Sequence, residues 1–514
     1  MLMHELLLDG AERHPDKAAF RWVDRDKTLT YAEAVAAMET FAGALHHLGV
    51  KKGDRVTIFA HNGMDYLVGL FACWRIGAIA ALVNVRFADQ LPYYFADHTP
   101  STVIYTHDMG EAVRAAAKQA PSVKHLVCMD GPQPGAHSLP ALLAGNFPPP
   151  PDPWDESAIA HLSYTSGTTG QPKGACLCHE PTVRATRCIG ERLRIRADDV
   201  SFGPTALSSS YQLVANLLPP LAAGASLQVM GHWSQGPGWD AVDAAAATMF
   251  VGNPPLLEEI LTESRARGRP PGRLRFVLSG GGPVPPTLKK AWRDELKIPL
   301  VESYGQSELG GFVGLGYPEL EPDDDKLMRV GPPLPDKEVR IFGDNDAKLP
   351  IGEVGDIVLR GGFMWGYWGR PEKTKEATRG GWLRTGDLGM LDVDGFLTMR
   401  SRRAELIEVH GTAWYPRDVE EALCRLPGVR QAALVGVPDA ALGARPTAFV
   451  TLHNGSQPDP AGLIAAIRGE VAYDLAPLVV TIVAELPMTP TGKIAKSALV
   501  QSATKSAVDV TRVA

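Results

Sequence analysis

The sequence predicts an α/β protein with a smaller α+β unit at its C-terminal end. Apolar strands alternate with helical runs through the first third of the chain, the pattern of a parallel sheet with crossover helices. Past Glu405 a new strand and helix pattern begins and runs for about a hundred residues, a usual domain size. The chain has 514 residues, more than one hydrophobic core normally serves, so at least two domains are expected.

The elements follow in order. Residues 30–48 read as an amphipathic helix, with Thr30 as N-cap and Glu33 as its capping-box partner. A turn from Lys51 feeds a buried strand ending near Ala60, Met64 to Gly77 is helical, and Ala78 to Val85 is a second strand. Ser101–Thr106 and His125–Met129 continue the strand pattern, and Pro148–Pro153 is a linker. Further on, Glu180–Leu193 is helical, and Ser201–Ala225 ends in an apolar helix stopped by Gly224. Ala241–Val251 is helix then strand, and Gly252-Asn-Pro-Pro255 turns into another helix. Two strands, Arg275–Ser279 and the one from Leu300, end in unusual chemistry. Asp392-Val-Asp-Gly395 marks a hairpin. The last part reads as helix Pro416–Arg425, strands Gln431–Val437 and Thr447–Leu452, and helix Pro460–Val471.

Composition excludes several classes. Hydrophobic residues at 45% and charged residues at 21% describe an ordinary soluble globular chain. Gly 52 and Pro 42 fit a loop-rich enzyme. The net charge of −7 argues against a nucleic-acid partner. The most basic stretch, Arg265 to Arg275, holds five arginines and reads as a solvated loop. Six cysteines (Cys73, Cys128, Cys176, Cys178, Cys188 and Cys424) are too few for a disulfide framework and point to a reducing compartment. Cys176-Leu-Cys178-His179 lacks the spacing of a zinc ribbon and fits a buried strand. The N-terminus has no cationic start and soon meets Glu5, Asp9 and Glu12, so it is no secretory signal. The longest apolar run, from Leu67, is broken by Arg75, so no membrane span is expected. A cytoplasmic protein is the expectation.

Chemistry concentrates in Tyr164-Thr-Ser-Gly-Thr-Thr-Gly-Gln-Pro-Lys-Gly174. Thr165, Ser166, Thr168 and Thr169 offer hydroxyls, and Gly167 bares its N–H for phosphate oxygens. Lys173 adds a mobile charge. The spacing is not that of the common phosphate-binding loop, because Pro172 stands where its second glycine would be. The bland alternative is a flexible turn, which so mixed a run ending in Lys-Gly makes a poor account. Gly280-Gly281-Gly282 follows a strand end, where α/β sheets bind ligands; a plain tight turn is the other reading. In Ser303-Tyr304-Gly305-Gln306-Ser307-Glu308, Tyr304 offers a flat face for a base beside Gly305. Ser307 offers a hydroxyl there, and Glu308 is a hard oxygen donor for Mg²⁺. Trp382-Leu-Arg-Thr-Gly-Asp387 places a carboxylate after a tight turn, where it can bind both hydroxyls of a ribose. Lys493 stands on a Pro/Thr/Gly loop with no packing role for a lysine.

These motifs, in this order, resemble the adenylate-forming superfamily of acyl-CoA synthetases, peptide-synthetase adenylation domains and luciferases. The resemblance runs from about residue 5 to residue 500. It rests on Tyr164–Gly174, Ser303–Glu308, Arg384–Asp387, Arg402 and Thr489–Lys493. It implies a large N-terminal ATP- and acyl-binding domain (1–400) of parallel and mixed sheets sandwiched by helices. A hinge (401–405, with Glu405), a mobile α+β domain (406–502) and a polar tail (503–514) follow.

The resemblance also implies roles. Lys493, Glu308 and Lys173 are the catalytic set, with Lys493 bridging the substrate carboxylate and the α-phosphate. Thr165, Ser166, Gly167, Thr168, Thr169 and Lys173 hold phosphates, and Glu308 holds Mg²⁺. Tyr304 stacks on the adenine, Gly280, Gly281 and Gly282 border the adenine and acyl pockets, Ser303, Gly305 and Ser307 also belong to the nucleotide site, and Asp387 and Arg402 hold the ribose. Ser208, Ser209, Tyr211, Gly280 and Gly310 line the acyl pocket, and Gly411 belongs to the face that admits the thiol of coenzyme A. Four positions depart from the family pattern. Ser208 and Ser209 replace an aromatic–His pair, Ala404 precedes Glu405 where a lysine is common, and Lys496 replaces an arginine.

The implied reaction is that of an AMP-forming acyl-CoA ligase using ATP, Mg²⁺ and coenzyme A on a small carboxylic acid, with a homodimer allowed for. Gly280–Gly282, Gly310-Gly311 and Ser208–Ser210 suggest a roomy pocket, hence a medium-chain, cyclic or aromatic acid. No acid lies in Ser201–Ala225 to pair with an ammonium, which favours a substrate without an amine. A carrier-protein thiol as acceptor and a non-catalytic nucleotide-binding relative are the alternatives.

Overall fold

Thr30 caps the helix Tyr31–His47 as its sequence predicts: Thr30 Oγ1 accepts from the Glu33 N–H at 3.2 Å, and Glu33 Oε2 accepts from the Thr30 N–H at 2.8 Å. The helix packs on Met64–Arg75, where a Cβ on Gly69 would stand 2.9 Å from the Phe41 ring. Phe41, Phe71 and Trp74 are fully buried around that contact, and large apolar side chains of this kind contribute about 1.5–3 kcal/mol each. The computed structural model describes residues 1–165, 171–453, 455–489 and 494–511, with side chains to Thr504 in the last segment.

The helix Met64–Arg75 joins the strands Arg55–Phe59 and Ile79–Leu82, which pair in parallel, so the expected βαβ unit is present. They sit in an eight-stranded sheet with Thr102–Tyr105 and His125–Cys128 on one side and Ile159–Tyr164 and Gly174–Cys178 on the other. The last two are antiparallel, with Tyr164 opposite Gly174. The segment between them is the hydroxyl- and glycine-rich loop. Cys176 and Cys178 lie in a strand buried at every residue, as a strand covered on both faces must be.

A second eight-stranded sheet runs Gly314–Leu315, Leu300–Tyr304, Phe276–Ser279, Met249–Gly252, Val200–Phe202, Ser226–Val229, Ala18–Trp22 and Lys27–Thr30. Its inner strands are parallel, so Ser279 and Tyr304 reach the same edge. An antiparallel sheet of Glu338–Phe342, Gly355–Arg360, Thr378–Arg379, Trp382–Leu391 and Leu397–Arg402 follows. The C-terminal unit is smaller. Its sheet pairs Val429–Asp439 with Gly443–Leu452 under the helix Pro416–Cys424, around its own core of Trp414, Val419, Leu434 and Val450. The chain is thus α/β with large N-terminal sheets flanked by helices and a smaller C-terminal domain. No helix among the described residues is long and apolar enough to cross a membrane.

Four expectations need correcting. The stretch Arg265–Arg275 is solvated, with Arg265, Arg267, Arg269 and Arg273 exposed, but it is not all loop. The helix Pro254–Arg267 takes in its first two arginines, and Arg265 pairs with Glu295, Arg267 with Asp240, Arg269 with Asp243 and Arg275 with Asp199. Asp387 does not follow a tight turn. It lies inside the ten-residue strand Trp382–Leu391, at a register shift where Gly386 takes φ +74°, a bulge that re-aims a side chain. The helix from Pro460 ends at Ala466, short of Val471. The apolar helix before Gly224 is interrupted by a π-turn at Leu213–Leu217, just ahead of Pro219 and Pro220, which have no N–H to continue the ladder.

Candidate active site

The described ends of the hydroxyl- and glycine-rich loop bond to each other. The Thr165 N–H donates to the Lys173 carbonyl at 3.0 Å, and the Lys173 N–H donates to Thr165 Oγ1 at 3.3 Å. Ser166, Gly167, Thr168 and Thr169 lie outside the described residues. Lys173 Nζ stands 4.3 Å from the centre of the Tyr367 ring, a cation–π contact. The Tyr367 hydroxyl donates to Glu308 Oε1 at 2.7 Å. Burial and that carboxylate push the Tyr367 hydroxyl well above its usual pKa, so it stays a donor. Tyr367 arrives on the short strand Gly366–Tyr367, which pairs with Gly174–Cys178. The main chain also brings Glu308 close, because the Met364 N–H donates to the Glu308 carbonyl at 2.7 Å.

A second cluster surrounds Asp387. Its Oδ2 accepts from the Tyr304 hydroxyl at 2.5 Å and from Gln306 Nε2 at 2.8 Å. Its Oδ1 lies 3.8 Å from Arg402 Nε, its cross-strand neighbour. The bulge that turns Asp387 inward is tied by Thr385, whose Oγ1 accepts from the Asp387 N–H at 3.1 Å and whose carbonyl accepts from Gln306 at 2.7 Å. Burial first, then Asp387, raises the Tyr304 pKa far above its usual value. Tyr304 is 8% exposed and packs with Leu309 and Val313.

The glycines divide into two kinds. A Cβ on Gly281 or Gly282 would meet nothing within 4 Å, so these two border open space. A Cβ on Gly280 would meet the Ser303 carbonyl at 2.9 Å and the Tyr211 ring at 3.0 Å, and one on Gly305 the Gly311 carbonyl at 3.0 Å. Gly310 and Gly311 overturn the expectation of room. Helix His179–Arg192 fills the space, with Thr182 Oγ1 2.8 Å from a Cβ on Gly310 and Ala185 Cβ 2.7 Å from one on Gly311. Both are packing glycines.

Ser208 and Ser209 are half-buried. The Tyr211 hydroxyl donates to the Leu278 carbonyl at 3.2 Å, and its ring lies 6.1 Å from that of Phe312. Ser210 Oγ is 3.5 Å from Ser307 Oγ, and Ser303 Oγ donates to the Ser279 carbonyl at 3.0 Å. The structure therefore brings Tyr211, Gly280 and Ser303 together, with Ser307 beside Ser210.

Glu405 Oε2 pairs with Lys496 at 2.9 Å, and Lys496 also reaches Glu420 at 2.8 Å. Gly411 is an exposed turn residue at φ +77° between Ile407–Val409 and Thr412–Trp414. Lys493 lies outside the described residues; the bridge between Met488 and Ile494 precedes and follows it. Sequence reading missed Gln306 and Tyr367. Gln306 stood inside a motif already singled out, while nothing around Gly366-Tyr367 signalled chemistry.

Comparison with known proteins gives the family. Residues 7–368 match the AMP-binding enzyme family and residues 418–493 the AMP-binding enzyme C-terminal domain. The chain is 32% identical to the feruloyl-CoA synthase of an Amycolatopsis species over 471 residues, 91% of this chain and 92% of the relative. It is 32% identical to the sulfoacetate–CoA ligase of Cupriavidus necator over 515 residues, 97% of each. ATP-bound MatB from Rhodopseudomonas palustris superposes with a TM-score of 0.87 at 26% identity, covering 98% of this chain and 99% of that one. An anthranilate CoA ligase in complex with anthranoyl-AMP shares the fold, with a TM-score of 0.90 at 23% identity over 99% and 98% of the two chains. The fold is that of the adenylate-forming superfamily. The chain belongs to the AMP-binding enzyme family and is an AMP-forming acid–thiol ligase; an acid, ATP and coenzyme A fit this family as substrates.

Proposed function

We propose that this ligase activates an aromatic or cyclic carboxylic acid, with medium-chain acids as the nearest alternative. The observation that carries this reading is the half-buried Tyr211 ring, backed by the buried Phe312 and set against Gly280, the residue before Gly281 and Gly282, which border open space. Flat rings pack well against such surfaces. The names of relatives support it, since they include 4-hydroxybenzoate/benzoate and indoleacetate ligases.

In this reading a carboxylate oxygen attacks the α-phosphorus, the bond to the β-phosphate breaks and pyrophosphate leaves. The sulfur of coenzyme A then attacks the acyl carbon, and AMP leaves. Both partners of the first step are anions, so catalysis is charge neutralisation and alignment. Thr165, Ser166, Gly167, Thr168, Thr169 and Lys173 take the β- and γ-phosphates, and Asp387 with Arg402 takes the ribose. Tyr304 and Gly305 border the adenine, and Lys493 bridges carboxylate and α-phosphate. Mg²⁺ usually keeps several waters and uses one or two carboxylates plus phosphates. A half-buried Glu308 held by Tyr367 fits that need, and the ion would neutralise phosphate charge. Residues 1–400, 401–405 and 406–502 are proposed as large domain, hinge and mobile domain, with Gly411 on the thiol face.

The test is pyrophosphate release across a panel of carboxylic acids, with and without coenzyme A. Turnover that depends on coenzyme A and is fastest with benzoate- or cinnamate-type acids is the expected result. Preference for short aliphatic acids would overturn the substrate class. A single enzyme-bound equivalent of pyrophosphate, unaffected by coenzyme A, would favour a carrier-protein thiol as acceptor.

A further inference from the structure

The phosphate loop is held at both ends from one helix, Leu91–His98, which carries none of the residues assigned so far. At the entry, the Tyr164 hydroxyl donates to Asp97 Oδ2 at 2.8 Å. The same hydroxyl lies 2.8 Å from His98 Nδ1, and His98 Nε2 lies 2.7 Å from Thr57 Oγ1. A tyrosine hydroxyl has one proton, and here it goes to the carboxylate. His98 Nδ1 therefore carries the proton donated to Tyr164, and Nε2 accepts from Thr57. At the exit, the Tyr93 hydroxyl donates to the Pro172 carbonyl. Arg370 joins the two ends: its Nη2 donates to Asp97 Oδ1 at 2.6 Å and to the Tyr93 hydroxyl at 2.9 Å.

A carboxylate beside a loop for polyphosphate carries the wrong charge for a ligand contact. Asp97 is not placed as one. Its side chain is 8% exposed, one oxygen faces Arg370 and the other faces Tyr164. Its charge is balanced and its oxygens are directed at protein groups.

We propose that Asp97 is a positioning residue for the phosphate loop. With Arg370 it fixes Tyr164 and Pro172, and through them the main chain that receives the β- and γ-phosphates. The inference rests on the reading that Thr165–Lys173 takes those phosphates. A loop with both ends held has less freedom to lose when ligand binds, so releasing the ends lowers affinity. AMP, which has neither phosphate, is insensitive to this.

The test is calorimetric titration of the full-length protein with MgATP and, separately, with AMP. Asp97→Asn and Arg370→Met should each weaken MgATP binding by about tenfold, the order of one charge-assisted hydrogen bond, and leave AMP binding within about twofold. Arg370→Lys, which keeps the charge, should recover part of the loss. Equal losses for both nucleotides, or none, overturn the proposal. Lys173→Met checks the reading beneath it. If that variant does not weaken MgATP more than AMP, the phosphate reading falls and the proposal with it. If Lys173→Met is selective and Asp97→Asn is not, the positioning role alone falls. Should Asp97→Asn fail to fold, Tyr164→Phe, which removes only the hydroxyl, carries the same outcomes.

Discussion

Tyr367 and Glu308 are joined by a hydrogen bond of 2.7 Å, the tyrosine hydroxyl donating to Oε1. The ring of the same tyrosine lies under Lys173. One side chain therefore sets the spacing between the Lys173 ammonium and the Glu308 carboxylate, the proposed phosphate and metal ligands.

Tyr367→Phe keeps the ring and removes the bond to Glu308. Outer partners of a metal ligand commonly matter tenfold or more in metal affinity. The Mg²⁺ concentration for half-maximal pyrophosphate release should rise by about tenfold, while the KM for ATP at saturating Mg²⁺ changes less than about twofold. An unchanged Mg²⁺ requirement would detach Tyr367 from the metal.

Asp387 is oriented by Tyr304 and Gln306, and its reading as a ribose ligand makes a chemical prediction. Asp387→Ala should raise the KM for ATP by about tenfold or more, the order of losing charged hydrogen bonds. The decisive comparison is 2′,3′-dideoxy-ATP. The wild type should discriminate strongly against it, and the variant should hardly discriminate. Equal discrimination by both proteins would remove Asp387 from the ribose.

Two glycines should answer differently to alanine. Gly310→Ala puts a methyl 2.8 Å from Thr182 Oγ1 and 3.1 Å from Thr182 Cα, and overpacking of this kind costs about 1–3 kcal/mol. Its Tm should fall. Gly282→Ala projects into open space, so its Tm should hold while the KM for bulky acids rises relative to small ones. Melting curves and an acid series on both variants check this.

His161 is wholly buried, and burial lowers its pKa from 6.5 to about 3. A lowered folded-state pKa means that the unfolded chain takes the proton first. Stability is then complete above pH 6.5 and declines as pH falls from there towards about 3,. His98 and His179 are shifted the same way for the same cause. His161→Leu should flatten the fall of Tm with acidification, measured by calorimetry between pH 7 and about 4. A parallel curve would show that His161 is not among the groups responsible.

Local signals were legible in the sequence. The Thr30–Glu33 box, the βαβ unit and the hydroxyl-rich loop each depend on residues a few positions apart. What was misread depends on distant partners. The arginines from Arg265 to Arg275 are solvated as read, but their ion pairs were missed because Glu295, Asp240, Asp243 and Asp199 are far away in the chain. Gly310 and Gly311 looked like space because helix His179–Arg192, which fills it, comes more than a hundred residues earlier. Asp387 was identified as a residue but not by its setting, since Thr385-Gly386 has the composition of a turn and forms a bulge inside a strand. Tyr367 and Asp97 carried no pattern at all; only the fold brings them to the loop.

The central claim is that the acid is activated as its adenylate. It is tested most directly with the fastest acid of the panel, labelled with oxygen-18 in its carboxylate, turned over with ATP and coenzyme A. Mass spectrometry of the products follows the label. The account predicts one labelled oxygen in AMP and none in pyrophosphate, because the carboxylate oxygen that attacks the α-phosphorus departs with AMP. Unlabelled AMP, or label in an inorganic phosphate product, would contradict it.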